Sequence, residues 1–285
     1  MRIALHSAPV GFFKSKPPYP NSELLRLVRK AALLGFRCLQ IGPLWSFPRT
    51  EAKGLKRALD SYGLEANVHV GGLYDAVKFA STEKEYLRVK KEIHTGIELC
   101  GAISSRLVSI HPPFFVTKEF EDSTTLLKAR ERFFELVSHE LEIASDVGIR
   151  LALESFCYRP FIFDGLRDYM QFVARFSSNE LGVLLETGHL FNAGFDIDEA
   201  ISMFQNVLFD VHVHDAKVRK DFAEATHLPI GLGDMDFTNL INQLRKAGYD
   251  GWLTLEIDGN EKQIVENKLF LENLLEKTSL TSNIQ

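Results

Sequence analysis

Short apolar or alternating runs of five to seven residues recur along the chain at Arg2–His6, Arg37–Ile41, Leu64–Val70, Arg106–His111, Ile149–Glu154, Leu181–Glu186, Leu208–His214 and Trp252–Ile257. Runs of this length, rich in Val, Ile and Leu, predict strands buried on both faces. Between them the apolar period changes to that of a helix. Leu24, Leu25, Leu27, Val28, Ala31 and Ala32 share one helical stripe, and Phe133, Leu136, Val137, Leu141 and Ala144 another. Gly35, Gly63, Gly101, Gly148 and Gly248 each follow a helical segment and precede a strand, where glycine suits the left-handed residue that ends a helix. Strict alternation of strand and helix demands a parallel sheet with right-handed crossovers. Eight such units in 285 residues predict one α/β domain over 1–285, a closed (β/α)8 TIM barrel, with a polar tail over 278–285. No GxGxxG follows the first strand, which weakens the dinucleotide-fold alternative.

Composition narrows the setting. Hydrophobic residues make up 45% and charged residues 25%, the balance of a chain able to bury a large core. A net charge of −5 argues against a protein built mainly to cover nucleic acid or an anionic membrane. Cys38, Cys100 and Cys157 are too few and too scattered for a disulfide framework, which fits a reducing cytoplasm. The N-terminus reads as a first strand rather than a signal peptide, and no run of about 18 uncharged apolar residues would cross a membrane. Nothing in the sequence sets the oligomeric state, and a homo-oligomer stays open.

In such a barrel the chemistry lies at the C-terminal ends of the strands. Of the nine histidines only His94 and His139 fall within helical patterns; His6, His69, His111, His189, His212, His214 and His227 lie at strand ends or just after them. Glu154, Glu186 and Glu256 each terminate an apolar strand. Carboxylates brought together there need a compensating cation or raised pKa values. With His212 as a fourth ligand, they suit one divalent ion (Mn²⁺, Mg²⁺, Co²⁺ or Zn²⁺) with positions left open for substrate oxygens.

The motifs ALES (152–155), LETGHLFNAGFD (185–196), VHVHDAK (211–217), HLPIGLGDMDF (227–237) and GYDGWLTLE (248–256) resemble those of the xylose-isomerase-like TIM barrels, a superfamily of sugar and sugar-phosphate isomerases, ketose 3-epimerases, inosose dehydratases and endonuclease IV. The resemblance implies Glu154, Glu186, His212 and Glu256 as metal ligands, with Glu186 where the family usually carries Asp. Shortening Glu186 to aspartate is therefore expected to be tolerated. It also implies that His189 holds a substrate oxygen. A second resemblance is to endonuclease IV itself. His69 and His111 stand where that enzyme binds an additional zinc, KFAS (78–81) looks like its sequence, and His189 and His227 match two ligands of its third zinc. The remaining ligand of that third zinc, an aspartate, is Ala225 here, which leaves a second metal open and a third in doubt.

The sugar resemblance implies an isomerase or epimerase in which Glu154 and Glu256 exchange a proton next to a carbonyl through a metal-stabilised enediolate. Lys217 or Arg219 would contact a distal hydroxyl or phosphate, and His69, His111 and Trp45 would shape the substrate pocket. Loop aromatics, Trp45, Phe47, Phe114, Phe115, Phe156, Tyr158, Phe161, Phe163, Phe191 and Phe195, suit either stacking on a sugar or packing of the loops onto the barrel. The alternative is a metal-dependent phosphodiesterase acting on abasic DNA, the one reading that brings in nucleic acid.

Overall fold

The structure, a computed structural model, describes residues 1–7, 18–44, 51–115, 123–155, 161–218 and 226–282. Eight parallel strands close on themselves in the order β1 to β8. They are β1 (Arg2–His6), β2 (Cys38–Ile41), β3 (Glu65–His69), β4 (Leu107–Ile110), β5 (Arg150–Glu154), β6 (Leu181–Glu186), β7 (Leu208–Val213) and β8 (Trp252–Leu255), each inside one of the predicted runs. Closure is made by β1 against β8, with Arg2 opposite Trp252 and Leu5 opposite Leu255. Around the barrel run α1 (Asn21–Leu33), α2 (Ala52–Tyr62), α3 (Ala76–Ser81), α4 (Glu83–Ala102), α5 (Ser123–Asp146), α6 (Gly165–Val173), α7 (Thr187–Asn192), α8 (Ile197–Phe204), α9 (Phe237–Lys246) and α10 (Glu261–Ser282).

The two-residue period of the strands divides the apolar from the chemical. Leu151 and Leu153, Val183 and Leu185, Val211 and Val213, and Leu253 and Leu255 join one core with the inner faces of the helices, including Leu24, Leu27 and Val28 of α1 and Phe133, Leu136 and Val137 of α5. The intervening positions face the barrel axis. Gln40 of β2 donates to Asp210 of β7 at 2.8 Å, and these strands are not neighbours, so the bond crosses the interior. Ser109 of β4 and Thr254 of β8 join the same buried polar layer, with Thr254 donating to Asp210 at 3.0 Å.

Gly63, the cap of α2, takes the left-handed conformation (φ 63°) that the sequence predicts of it. Gly101 does not: it lies inside α4, and Ser104 takes the left-handed turn instead (φ 61°), because α4 continues past the glycine to Ala102. α10 continues over Thr278–Ser282, the first part of the stretch that reads as a tail.

Beyond β7 the chain is wound around one buried carboxylate. Asp215 accepts from the backbone N–H groups of Ala216 (2.8 Å), Gly231 (2.8 Å), Gly233 (2.8 Å) and Met235 (3.2 Å). Its own backbone pairs with Leu228, which brings His227 back over the barrel mouth. A hydrogen bond to a charged group contributes about 1.5–3 kcal/mol, and removing the acceptor leaves buried donors unsatisfied. Asp215→Ala is expected to cost at least ~3 kcal/mol, a fall in melting temperature of roughly 6 °C or more by the scaling for large domains. Thermal unfolding followed by circular dichroism checks this, and a fall under ~2 °C would mean that the loop is held by other contacts.

Candidate metal centre

Glu154 and Glu186 end β5 and β6, His212 is in β7, and Glu256 lies one residue beyond β8; all four are buried. His212 Nδ1 lies 2.7 Å from Glu186 Oε2 and 2.6 Å from Glu256 Oε2. Its other nitrogen, Nε2, meets Gln40 Oε1 at 2.6 Å. Burial raises the Asp210 carboxyl to about 6, and it accepts from the Val211 N–H and the Thr254 hydroxyl. Gln40 turns its amide nitrogen to Asp210 and Ser109 and its oxygen to His212, and in that orientation the imidazole carries a proton on Nε2. The Nδ1 lone pair is then aimed at two carboxylate oxygens. Three acceptors meeting in a buried space call for a cation, either a second proton on the ring or a metal ion. In the metal-free site burial opposes the charge on His212, but Glu256 and Glu186 outweigh it and raise the imidazole well above its usual value. Burial likewise works against ionisation of Glu186 and Glu256, and the surrounding imidazoles reverse it, holding both carboxyls below the usual range.

A second cluster adjoins the first through Glu154, whose carboxylate lies within ligand reach both of Glu186 with His212 and of His69 with His111. His69 Nε2, His111 Nε2 and Glu154 Oε2 form a near-equilateral triangle with sides of 3.1, 3.2 and 3.0 Å. The outer nitrogens are occupied: His111 Nδ1 faces the carbonyl of Gly72 at 3.2 Å, and His69 Nδ1 faces His6 Nε2 at 2.9 Å. His6 Nδ1 in turn lies 3.3 Å from Glu256 Oε1. A run of N–H donors from His69 to His6 to Glu256 leaves the inner nitrogens as lone pairs. Glu154 Oε2 is buried without a hydrogen bond of acceptable geometry, although two ring nitrogens are near it. Tetrahedral ligands at bond lengths of about 2.0–2.1 Å stand roughly 3.3 Å apart, so the triangle has the dimensions of a half-made metal site.

The third group, His189, His214 and His227, lies on the β6–β7 side of the mouth. Its rings are in contact, with centroids 4.8 Å apart for His189 and His227 and 4.4 Å for His214 and His227. Burial lowers His189, and it drives His227 down to about 3, so both rings are neutral near pH 7. His227 Nε2 is 3.9 Å from Glu256 Oε1, at the edge of the main cluster. Lys217 is half-buried beyond β7, where its carbonyl accepts from Asn192 at 2.7 Å. Trp45, Phe47, Phe156, Tyr158 and Arg219 lie outside the described residues, as does Ala225. Phe114, Phe115, Phe161 and Phe163 are buried in the main core, which favours loop packing for these four rings.

Four residues of this machinery receive no role from sequence: His6, Gln40, Asp210 and His214. The two-residue period could have found two of them, since Asp210 in β7 and His214 just beyond it stand at i−2 and i+2 from His212. Gln40 carries no such signal, because its partners come from the opposite side of the barrel.

A family model described as Xylose isomerase-like TIM barrel matches residues 28–274. A solved D-tagatose 3-epimerase-like protein superposes with a TM-score of 0.80 at 24% identity, covering 99% of this chain and 100% of that one. Inosose dehydratase of Clostridium botulinum is 23% identical, covering 90% of each chain. Probable endonuclease 4 of Mycoplasma mycoides is 25% identical, covering 64% of each.

A metal ion entering the main cluster must displace the extra proton from His212. Because His212 is raised in the metal-free fold, protonation stabilises that fold fully below pH 6.5, and this contribution is lost as the pH rises through the raised value. Metal affinity moves the other way. Co²⁺ binding at pH 7 is expected to release about one proton per ion, with affinity rising about tenfold per pH unit below the His212 pKa. Calorimetric titration in buffers of different ionisation enthalpy measures the release, and binding with no proton release would contradict this assignment.

Proposed function

The chain belongs to the xylose isomerase-like TIM barrel family, and from that premise we propose that it is a metal-dependent sugar or sugar-phosphate epimerase or isomerase. The observation that carries this reading is the meeting of Glu154, Glu186, Glu256 and the lone pair of His212 at the barrel mouth. The donor set suits a hard or borderline divalent ion, with Mn²⁺, Co²⁺, Mg²⁺ and Zn²⁺ as candidates. When bound, such an ion would polarise two adjacent substrate oxygens and offset the negative charge that develops on them.

The side chains do the rest. Glu154 and Glu256 come from strands three places apart around the barrel, so a sugar carbon held between them meets a carboxylate on two sides. Both are held ionised by the imidazoles beside them, Glu154 by His111 and His69 against the opposing effect of burial, and so rest in the form that accepts a proton. One carboxylate would take the proton from the carbon next to the carbonyl. The other, protonated beforehand from solvent, would return that proton to the same carbon from the opposite face, as in an epimerase, while the first releases its proton to solvent; or the first would return its own proton to the neighbouring carbon, as in an isomerase. Neutral His189 would donate to a substrate oxygen. The relatives named inosose dehydratase and ketose 3-epimerase support a polyhydroxylated substrate.

A second reading has its own observation. The His69–His111–Glu154 triangle favours a dinuclear centre, in which two ions would activate water for attack on a phosphodiester in abasic DNA. Against it stand Ala225 in place of a ligand aspartate and the net charge of −5.

Glu154→Gln and Glu256→Gln are each expected to slow solvent deuterium exchange into a ketose at the carbon next to the carbonyl by at least about 100-fold, with at least one variant retaining some metal. NMR of recovered sugar reads this, and near-normal exchange in either variant would remove it from the proton-transfer role. His111→Ala separates the two readings. Under the sugar reading, metal content stays near one per chain and mainly substrate binding weakens. A fall from two metals towards one, with loss of nicking at abasic sites, would establish the phosphodiesterase instead.

A further inference from the structure

Glu186 has a side chain long enough for its two carboxylate oxygens to face different partners. Glu186 Oε2 meets His212 Nδ1 at 2.7 Å, while Oε1 meets His214 Nε2 at 2.5 Å. His212 in β7 and His214 one residue beyond it are two residues apart, and the Glu186 carboxylate bridges their rings. His214 is fully buried, and its protonation pattern is set by the main chain. Two main-chain groups face His214 Nδ1, the His227 N–H at 2.8 Å and the Asp215 carbonyl at 3.2 Å; the closer one is a donor, which favours Nδ1 as the acceptor, with a ring proton on Nε2 aimed at Glu186. Two further features hold the ring. A Cβ at Gly188 would come within 2.0 Å of His214 Cε1, so glycine is required for the ring to be seated there. The His227 ring stacks on it at 21°, from a residue held in the left-handed conformation (φ 53°).

We propose that His214 is a positioning residue that fixes Glu186 as a one-oxygen metal ligand: its Nε2–H occupies Oε1 and leaves Oε2 alone for the ion shared with His212. This rests on the metal centre proposed above and deepens it. The pair Glu186 and His214 acts as a unit, because the longer carboxylate reaches both imidazoles and an aspartate, about 1.5 Å shorter, reaches only one. The expectation from sequence that Glu186→Asp is tolerated is thereby reversed. The unit also couples the centre to the loop after β7, since the N–H that sets the His214 tautomer belongs to His227.

The test is Co²⁺ titration of metal-free full-length protein, read by calorimetry and by the visible absorption of the bound ion. Glu186→Asp and His214→Phe are each expected to weaken Co²⁺ about 10–100-fold, the range for removing an outer partner of a ligand. Because both remove the same hydrogen bond, the double variant should be no weaker than the weaker single one. His214→Gln, whose amide N–H has a similar reach, should stay within about 3-fold of wild type, a rescue that loss of packing would not give. The ¹⁵N spectrum of the Zn²⁺-loaded wild type should show His214 protonated at Nε2 and bare at Nδ1. Glu186→Asp binding Co²⁺ as wild type does, losses that multiply in the double variant, or the opposite tautomer would each overturn the role of His214 while leaving the metal centre standing. Should His214→Phe fail to fold, Glu186→Asp, His214→Gln and the spectrum decide. Wild-type protein that takes up no Co²⁺ would overturn the metal centre and this role together.

Discussion

Three buried carboxylates at the mouth of a parallel barrel are the constraint from which the rest follows. Glu154, Glu186 and Glu256 are each at most 8% exposed, and a cluster of negative charge withdrawn from water this far is untenable without compensation. The molecule supplies imidazoles whose outer nitrogens are already committed. Gln40 and Gly72 take the outer protons of His212 and His111, so the inner nitrogens face the carboxylates as lone pairs or as imidazolium donors. Such a site can be balanced by protons or, under the proposed reading, by a divalent ion, and exchange between the two would couple it to pH.

The barrel interior is built to sustain that arrangement. Below the mouth lies a polar layer of Gln40, Ser109, Asp210 and Thr254, where many barrels carry branched aliphatic residues. A fully bonded polar layer is costly to build and rigid once built. Here its rigidity has a definite result: the amide of Gln40 cannot turn over without breaking its bonds to Asp210 and His212 together. The apolar work is done on the outer side of the strands, where alternate Leu and Val residues pack against the helices. Stability and chemistry are thus carried by opposite faces of the same eight strands.

The loop beyond β7 links the two. Its path is set by Asp215, around which four backbone N–H groups turn, and that path delivers His227 both as a ring at the edge of the cluster and as the N–H that sets His214. The segment 227–237, one of the motifs that carry the family resemblance, is thus a structural clamp around Asp215.

Local pattern along the chain is enough to read the eight strands, their order, the closed barrel and the places of Glu154, Glu186, His212 and Glu256 at or near strand ends, because two-residue and helical periods and the terminal carboxylates are local properties. Local pattern also misplaced the turn after α4, where Ser104 rather than Gly101 takes the left-handed position, since a glycine near a helix end does not say which residue ends it. Which ring nitrogen of His212, His111 and His69 is bare cannot be read from local pattern. That property belongs to contacts across the barrel, Gln40 with His212 over 172 residues of chain and His6 with His69 over 63. The tertiary structure also decided that Glu186 faces two imidazoles rather than one, because the reach of a side chain acquires meaning only when its partners from another strand are in place.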